Sequence, residues 1–404
     1  MATVLLIGTL DTKGDEYAYL AERLRLGGVD VLVADTGTGG PPHGLEPDIT
    51  AADVAREAGA ELDALTDRGT AVGTMAGAAA VLARRLHEEG RIDGVLAAGG
   101  SGNTAIATAA MQALPVGVPK LMVSTLASGD TRPYVGAVDV TMMYSVVDIA
   151  GINSMSARIL TNAAGAIAGM VRASVPPMAH KPLVGASMFG VTTPGVTRAR
   201  ERLEELGYEV LVFHATGTGG QSMESLVAGG FLAGVLDLTT TELADELVGG
   251  VLSAGPERLE AAGAAGLPQV VSLGALDMVN FGPRGTVPAR FESRTLYVHN
   301  PTVTLMRTAP DECRELGRQV GRKLSAAKGP TALFVPRRGV SMIAVAGQPF
   351  HDPEADDALL AGLSETLVGV EVHEYDLDVN DEQFAVAMAD RLHEMITTTP
   401  RGDR

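Results

Sequence analysis

The chain has no tryptophan, a single cysteine and few aromatic residues, which make up 4% of its 404 positions. One cysteine, Cys313, excludes an intrachain disulfide and leaves nothing for a thiolate metal cluster. Asp311, Glu312, Arg314 and Glu315 flank it in a helical pattern, so an ordinary helix residue is the expectation and a nucleophile the alternative. Positive charge is short as well: 31 Lys and Arg stand against 49 Asp and Glu, a net charge of −18. Such a balance gives no general attraction for nucleic acid or an anionic membrane, so any phosphate must be held locally. No uninterrupted apolar run approaches the ~18 residues of a membrane span. Met1 leads straight into a strand-like run without the segments of a signal peptide, and a cytoplasmic location is expected.

What is abundant is small and apolar. Hydrophobic residues reach 46% and glycines number 49, the composition of a close-packed α/β protein. Residues 4–10 form a short apolar run, followed by a helical pattern over 15–26 and a second run over 29–34. That is one βαβ unit, which makes a parallel sheet whose carboxyl-end loops share a rim. A further helix is expected over 74–90, capped by Thr74, and a long small-residue helix over 150–172. Pro176 and Pro177 read as a hinge between domains 1–178 and 179–404.

The organising stretch is 94–104, where an apolar run feeds Gly99, Gly100, Ser101, Gly102, Asn103 and Thr104 and opens into a helix over 105–114. Strand, glycine loop and helix N-terminus read as a cradle for a bulky anion, with an ordinary glycine turn at the end of a buried strand as the alternative. It is neither a Walker loop, since no lysine follows, nor the GxGxxG of a dinucleotide site.

Beyond the hinge the chain repeats itself. Asp35-Thr36-Gly37-Thr38-Gly39-Gly40 returns as Ala215-Thr216-Gly217-Thr218-Gly219-Gly220, 180 positions later, and Gly94-Val95-Leu96 returns as Gly234-Val235-Leu236. The second copy follows that run with Asp237, Thr240 and Glu242 rather than glycines. The fold expected is therefore α/β: two Rossmann-like three-layer domains with mainly parallel sheets, related by internal duplication.

On the first rim, Asp11, Thr12, Lys13 and Gly37 join the glycine loop as candidate nucleotide contacts, with Ser124, Thr125, Ser128 and Gly129 as a second donor loop. Lys13 suits a phosphate as a point charge, or is a solvated lysine at a helix start. Asp130 and Asp148 can hold Mg²⁺ through water, or cap helices and pair with Arg132 or Arg158. In the second domain, His214 is placed for acid–base work or is a buried histidine bonded to backbone, with Asp277 and Arg307 as further candidates, the latter as a carboxylate clamp. Asp237, Thr240, Glu242, Asn280, His299 and Asn300 would then receive a small polar substrate.

Leu10-Asp11-Thr12-Lys13-Gly14, Gly99-Gly100-Ser101-Gly102, the run from Ser124 to Asp130 and Met142-Met143-Tyr144-Ser145-Val146-Val147-Asp148 together resemble the Tm-one-like ATP-binding family. This group of bacterial, fungal and plant proteins is named after the tomato mosaic virus resistance protein. The likeness extends over nearly the whole chain, including 235–246, 275–282 and 299–307. It implies two Rossmann-like domains and ATP binding at Asp11, Lys13, 99–102 and 128–130, and the plant relative also binds a viral replication protein. Asn103 departs from the family pattern, which has a small residue there.

The function expected is ATP binding with Mg²⁺, coupled to phosphorylation or activation of a small polar substrate in an interdomain cleft. A nucleotide-gated binding protein without catalysis is the alternative, then an NAD(P)-dependent oxidoreductase. The small-residue stretch 162–170 can pack closely on another helix, within the domain or across a dimer, and a homodimer or higher homo-oligomer is expected.

Overall fold

Strand residues whose alternate side chains are all apolar have to be covered on both faces, and that requirement sets the architecture. The computed structural model describes residues 1–64, 67–176 and 181–399, so Pro177 of the expected hinge lies outside the described residues. The chain divides into two compact units, 1–177 and 178–404.

In the first unit the order is β1 (Thr3–Gly8), α1 (Leu10–Leu26), β2 (Asp30–Asp35), α2 (Ala51–Glu57), α3 (Arg68–Glu88), β3 (Gly94–Gly99), α4 (Ser101–Gln112), β4 (Lys120–Ser124), α5 (Arg132–Val135), β5 (Thr141–Tyr144) and α6 (Ser154–Met170). The strands form a parallel sheet in the order β2-β1-β3-β4-β5. Leu5, Ile7, Val95 and Ala97 pack on one face against α2, α3 and α4 through Val54, Met75, Leu82 and Ile106. Val4, Leu6, Leu96 and Val123 pack on the other against α1 and α6 through Tyr17, Leu20, Leu24 and Ile167.

The second unit runs β6 (Leu183–Met188), α7 (Thr193–Glu205), β7 (Glu209–His214), α8 (Thr218–Ala228), β8 (Gly234–Thr239), α9 (Glu242–Val248), α10 (Ala261–Ala264), β9 (Gln269–Gly274), β10 (Met278–Phe281), β11 (Leu296–Asn300), β12 (Val303–Arg307), α11 (Pro310–Ser325), β13 (Thr331–Pro336), α12 (Pro353–Thr366), β14 (Glu371–Tyr375) and α13 (Glu382–Thr398). Its main sheet is parallel, β14-β13-β9-β8-β6-β7, and a three-stranded antiparallel sheet, β10-β12-β11, adds to it. The two units share more than order. Val4 pairs with Gly94 and Val184 with Gly234, and Val95 pairs with Lys120 as Val235 does with Gln269.

Helix starts differ from expectation for local reasons. The α3 helix begins six residues before Thr74, because the Asp67 carboxylate accepts the Thr70 N–H at 2.7 Å. Similarly, α6 begins at Ser154 rather than near 150, where Asn153 and Ser156 exchange a capping box. Helical structure also starts at Leu10 rather than Asp15, its N–H held by Asp35, and breaks at Lys13 (φ −130°, ψ 18°). Among the described residues no helix is long and apolar enough to cross a membrane.

Candidate functional site

The rim of the first unit is tied together by one phenol. Tyr17, on α1, donates from its hydroxyl to the Ile7 carbonyl at 2.7 Å and accepts from the Ala98 N–H at 3.0 Å and from Asn103 Nδ2 at 2.9 Å. Complete burial holds its ionisation well above the usual phenol range. The knot dictates two glycines. A Cβ on Gly8 would stand 2.0 Å from the Tyr17 oxygen, and one on Gly99 would stand 2.7 Å from the Asn103 Cβ. Gly100 and Gly102 are different, since the nearest atom to a Cβ on either is 3.9 Å away. Neither has a positive φ, so the fold does not require glycine there.

Several residues expected to touch a ligand are spent on this framework. Asn103 also donates to the Ala98 carbonyl at 2.9 Å, so its amide nitrogen positions the loop. Thr104 Oγ1 bonds the Gly100 carbonyl at 2.8 Å and Ser124 Oγ at 2.7 Å, and Ser124 accepts the Leu126 N–H at 3.0 Å. Thr104 and Ser124 are fully buried and join α4 to β4.

Where the ends of β1, β2 and β3 meet, a cavity of about 580 Å³ opens. Its wall includes Asp11, Thr12, Lys13, Thr36, Thr38, Gly39, Arg68, Asp148 and the run Gly100, Ser101, Gly102 and Asn103. Ser101, Gly102 and Asn103 form the first turn of α4, where backbone N–H groups have no intrahelical acceptor. Asp11 accepts the Gly39 N–H on Oδ2 at 2.7 Å, while its Oδ1 is buried without a partner among the described residues. The carboxylate fixes the turn so closely that a Cβ on Gly37 would stand 2.7 Å from Asp11 Cγ. Behind it Asp35 accepts the Gly37 and Leu10 N–H groups at 2.8 and 3.0 Å, and burial raises its ionisation.

The two cations of the wall are not equivalent. The Lys13 ammonium donates to the Ile149 carbonyl, so it holds the segment after β5. Arg68 makes no side-chain hydrogen bond or ion pair among the described residues. It escaped the sequence reading because α3 was expected to start later; Asp67 followed by Thr70, a cap with its N3 residue, was the available signal. Ser128, Gly129 and Asp130 sit on the exposed turn after β4, and neither they nor the half-buried Thr125 line this wall. Arg132 holds both oxygens of Asp130, at 2.9 and 2.7 Å, and pulls its ionisation down to about 2. Of the expected magnesium pair, only Asp148 faces the cavity. Among the described residues no group of three or more His, Cys, Asp or Glu could hold a metal.

In the second unit, most of the polar residues expected to receive a substrate are bonded to other residues of that unit. Arg258, fully buried, donates to Glu242 at 2.7 Å, to Asp237 at 2.7 Å and to Glu224 at 3.3 Å. Asp237 also accepts from Ser187 at 2.6 Å, and Glu242 accepts the Gly217 and Gly220 N–H groups at 2.8 and 3.1 Å. Thr240 donates to the Ser272 carbonyl at 3.2 Å. Asn280 donates to Asp245 at 2.6 Å, and burial holds that carboxyl up at about 7. Arg307 is no open clamp: it donates to the Phe350 carbonyl, Thr308 Oγ1 and Asp356 at 2.9, 2.8 and 2.7 Å. Asp277 is buried, accepts from Ser341 at 2.7 Å and is pushed up to about 6 by its burial. His214 is exposed at the end of β7, and His299 and Asn300 are exposed on β11, where Asn300 shapes a turn by accepting the Thr302 N–H at 2.9 Å. Two cavities of this unit, of about 620 and 290 Å³, have none of these residues in their walls. Asp237, Glu242, Asn280, Asp277 and Arg307 are thus bonded within the unit, because each polar group taken from water needs a partner.

Family descriptions match both parts of the chain: "Uncharacterised protein family (UPF0261) N-terminal domain" over residues 2–176 and the corresponding C-terminal domain over 181–396. A UPF0261 protein of Clostridium tetani is 53% identical over 399 residues, covering 97% of this chain and 98% of its own. The ToMV resistance protein Tm-1 of Solanum lycopersicum and its susceptible counterpart are each 40% identical over 418 residues. Those matches take in 97% of this chain and 55% of the tomato proteins. Among solved structures, a UDP-GlcNAc 2-epimerase from Neisseria meningitidis bound to UDP-GlcNAc is 10% identical over 67% of this chain and 82% of its own, with a TM-score of 0.25. That likeness is too weak to inform fold or ligand. The chain belongs to the uncharacterised protein family UPF0261, with the Tm-1 proteins of tomato among its relatives.

Proposed function

We propose that the first unit binds ATP with Mg²⁺ in the crevice at the ends of β1, β2 and β3. One observation carries this reading: the N-terminus of α4, with Gly100 and Gly102 free of any packing need, borders a cavity of about 580 Å³ beside Arg68, which has no side-chain partner among the described residues. Helix N-termini at the carboxyl edge of a parallel sheet are suited to phosphate. The sequence resemblance supplies ATP as the nucleotide. The donor set fits magnesium, because Asp11 and Asp148 line the same wall and Asp11 Oδ1 lacks a partner. One or two carboxylates completed by water and phosphate are the usual surroundings of this ion, which would supply charge neutralisation.

The internal bonding of Asp237, Glu242, Asn280 and Arg307 favours nucleotide-gated binding over phosphorylation of a substrate on those groups. Thermal unfolding with ATP, ADP, NAD or NADP, each with and without Mg²⁺, tests the reading. ATP at a hundred times its dissociation constant should add about 2.7 kcal/mol. Stabilisation by NAD or NADP with none by ATP would overturn it. Phosphate release that rises with one member of a metabolite panel would restore the catalytic version.

A further inference from the structure

In the second unit, the position equivalent to the crevice carries its own anion. Matching strand registers place Gly102 opposite Glu242 in the duplication, 140 positions apart, while the 35–40 turn corresponds to 215–220. Glu242 begins α9 and sends its carboxylate onto the amides of Gly217 and Gly220, with Arg258 on its other oxygen. The space is filled, since a Cβ on Gly220 would stand 2.2 Å from Glu242 Oε2. In the first unit Asp11 takes the turn side of this space, and no carboxylate comes from α4. The helix side is left to the cavity, with Arg68 in its wall. A second observation points to a missing occupant. Thr36 is fully buried and belongs to the cavity wall, yet its hydroxyl has no partner among the described residues. A buried hydroxyl without one is costly unless a ligand or water completes it.

We infer that a phosphate group of the ligand sits at the start of α4, on the amides of Ser101 and Gly102, in the rim space that Glu242 fills in the second unit, with Arg68 as its counter-cation. This rests on the proposal that the crevice binds a nucleotide, and it deepens that proposal by naming the cation and the seat. Lys13 already spends one donor on the Ile149 carbonyl, whereas Arg68 has no side-chain partner among the described residues. Arg68 presents a fork of donors suited to two phosphate oxygens. Gly102 is the position at which a carboxylate side chain would turn the first crevice into a copy of the second.

The test uses the full chain and two probes, ATP with Mg²⁺ and inorganic tripolyphosphate, read by equilibrium binding. Arg68→Ala should weaken both by roughly 10- to 100-fold, the loss expected for a charged hydrogen bond. Gly102→Glu should abolish both, while circular dichroism and the unliganded Tm stay near wild type. Arg132→Ala removes a cation paired outside the cavity and should bind as wild type does. If Gly102→Glu does not fold, Arg68→Gln and Gly102→Ala decide in its place, since a Cβ on Gly102 meets nothing closer than 3.9 Å. Both should then bind tripolyphosphate more weakly than wild type. Wild-type ATP affinity in the Arg68 and Gly102 variants would overturn the seat and leave the nucleotide reading standing. Tripolyphosphate binding that depends on Arg68, with no gain from adenosine, would keep the seat and overturn the nucleotide. Failure of the wild type to bind either probe removes both.

Discussion

A phenol oxygen that meets the ends of two strands and the side chain of Asn103 gives the first rim its shape, although Tyr17 touches no proposed ligand atom. Tyr17→Phe would keep the ring packing but leave the Ala98 N–H and Asn103 Nδ2 short of an acceptor and the Ile7 carbonyl short of a donor. The variant should lose roughly 1–3 kcal/mol. Urea unfolding checks it: a lower midpoint at unchanged slope is expected, and an unchanged midpoint would mean that the bonds contribute nothing net. Tyr17 was legible in the sequence only as part of an apolar helix face, because its partners lie 81 and 86 positions away. Asn103 and Thr104 illustrate the converse. Short polar residues at a helix start either cap, brace or bind, and the types alone do not say which way a side chain turns.

At the level of elements, the repeated Thr-Gly-Thr-Gly-Gly turns and the repeated Gly-Val-Leu strands made the duplicated parallel sheets legible, since burial on both faces writes itself into short apolar runs. The β10-β12-β11 sheet was not, because its strands mix Asn280, Thr304 and Arg307 with apolar residues and depend on partners elsewhere in the unit. Those partners also create a pH response. Asp245 is held at about 7 by burial, against 3.8 when free, although Asn280 and the Leu252 N–H favour its charged form. Between about pH 4 and 7 the native state therefore keeps a proton that the unfolded chain has lost, and stability falls as pH rises through that window. Asp245→Asn removes the titration. The Asn280 carbonyl oxygen, now buried without a partner, can turn to accept from the new amide. The difference in unfolding free energy between variant and wild type should shift in the variant's favour from pH 4 to pH 7 by a few kcal/mol. Parallel stability curves across that range would rule the titration out.

Over the whole molecule, each unit encloses hydrophobic cores of its own, Leu6, Leu96 and Ile167 in one and Val184, Phe334 and Phe384 in the other. Separate cores make separate cooperative units, so calorimetry should resolve two transitions. Two substitutions assign them without dividing the chain: Tyr17→Phe lowers the transition of the first unit, and Asp245→Asn changes the pH dependence of the second. A ligand bound only by the native form of one unit raises that unit's transition, by an amount set by its concentration over its dissociation constant. ATP with Mg²⁺ should accordingly raise the transition that Tyr17→Phe lowers and leave the pH-sensitive one in place. The buried pairing of Arg258 with Asp237 and Glu242 gives the reason, because a rim already filled by its own carboxylate has no vacancy for another anion. Movement of the pH-sensitive transition alone would place the nucleotide in the second unit and overturn the assignment made from the glycine loop.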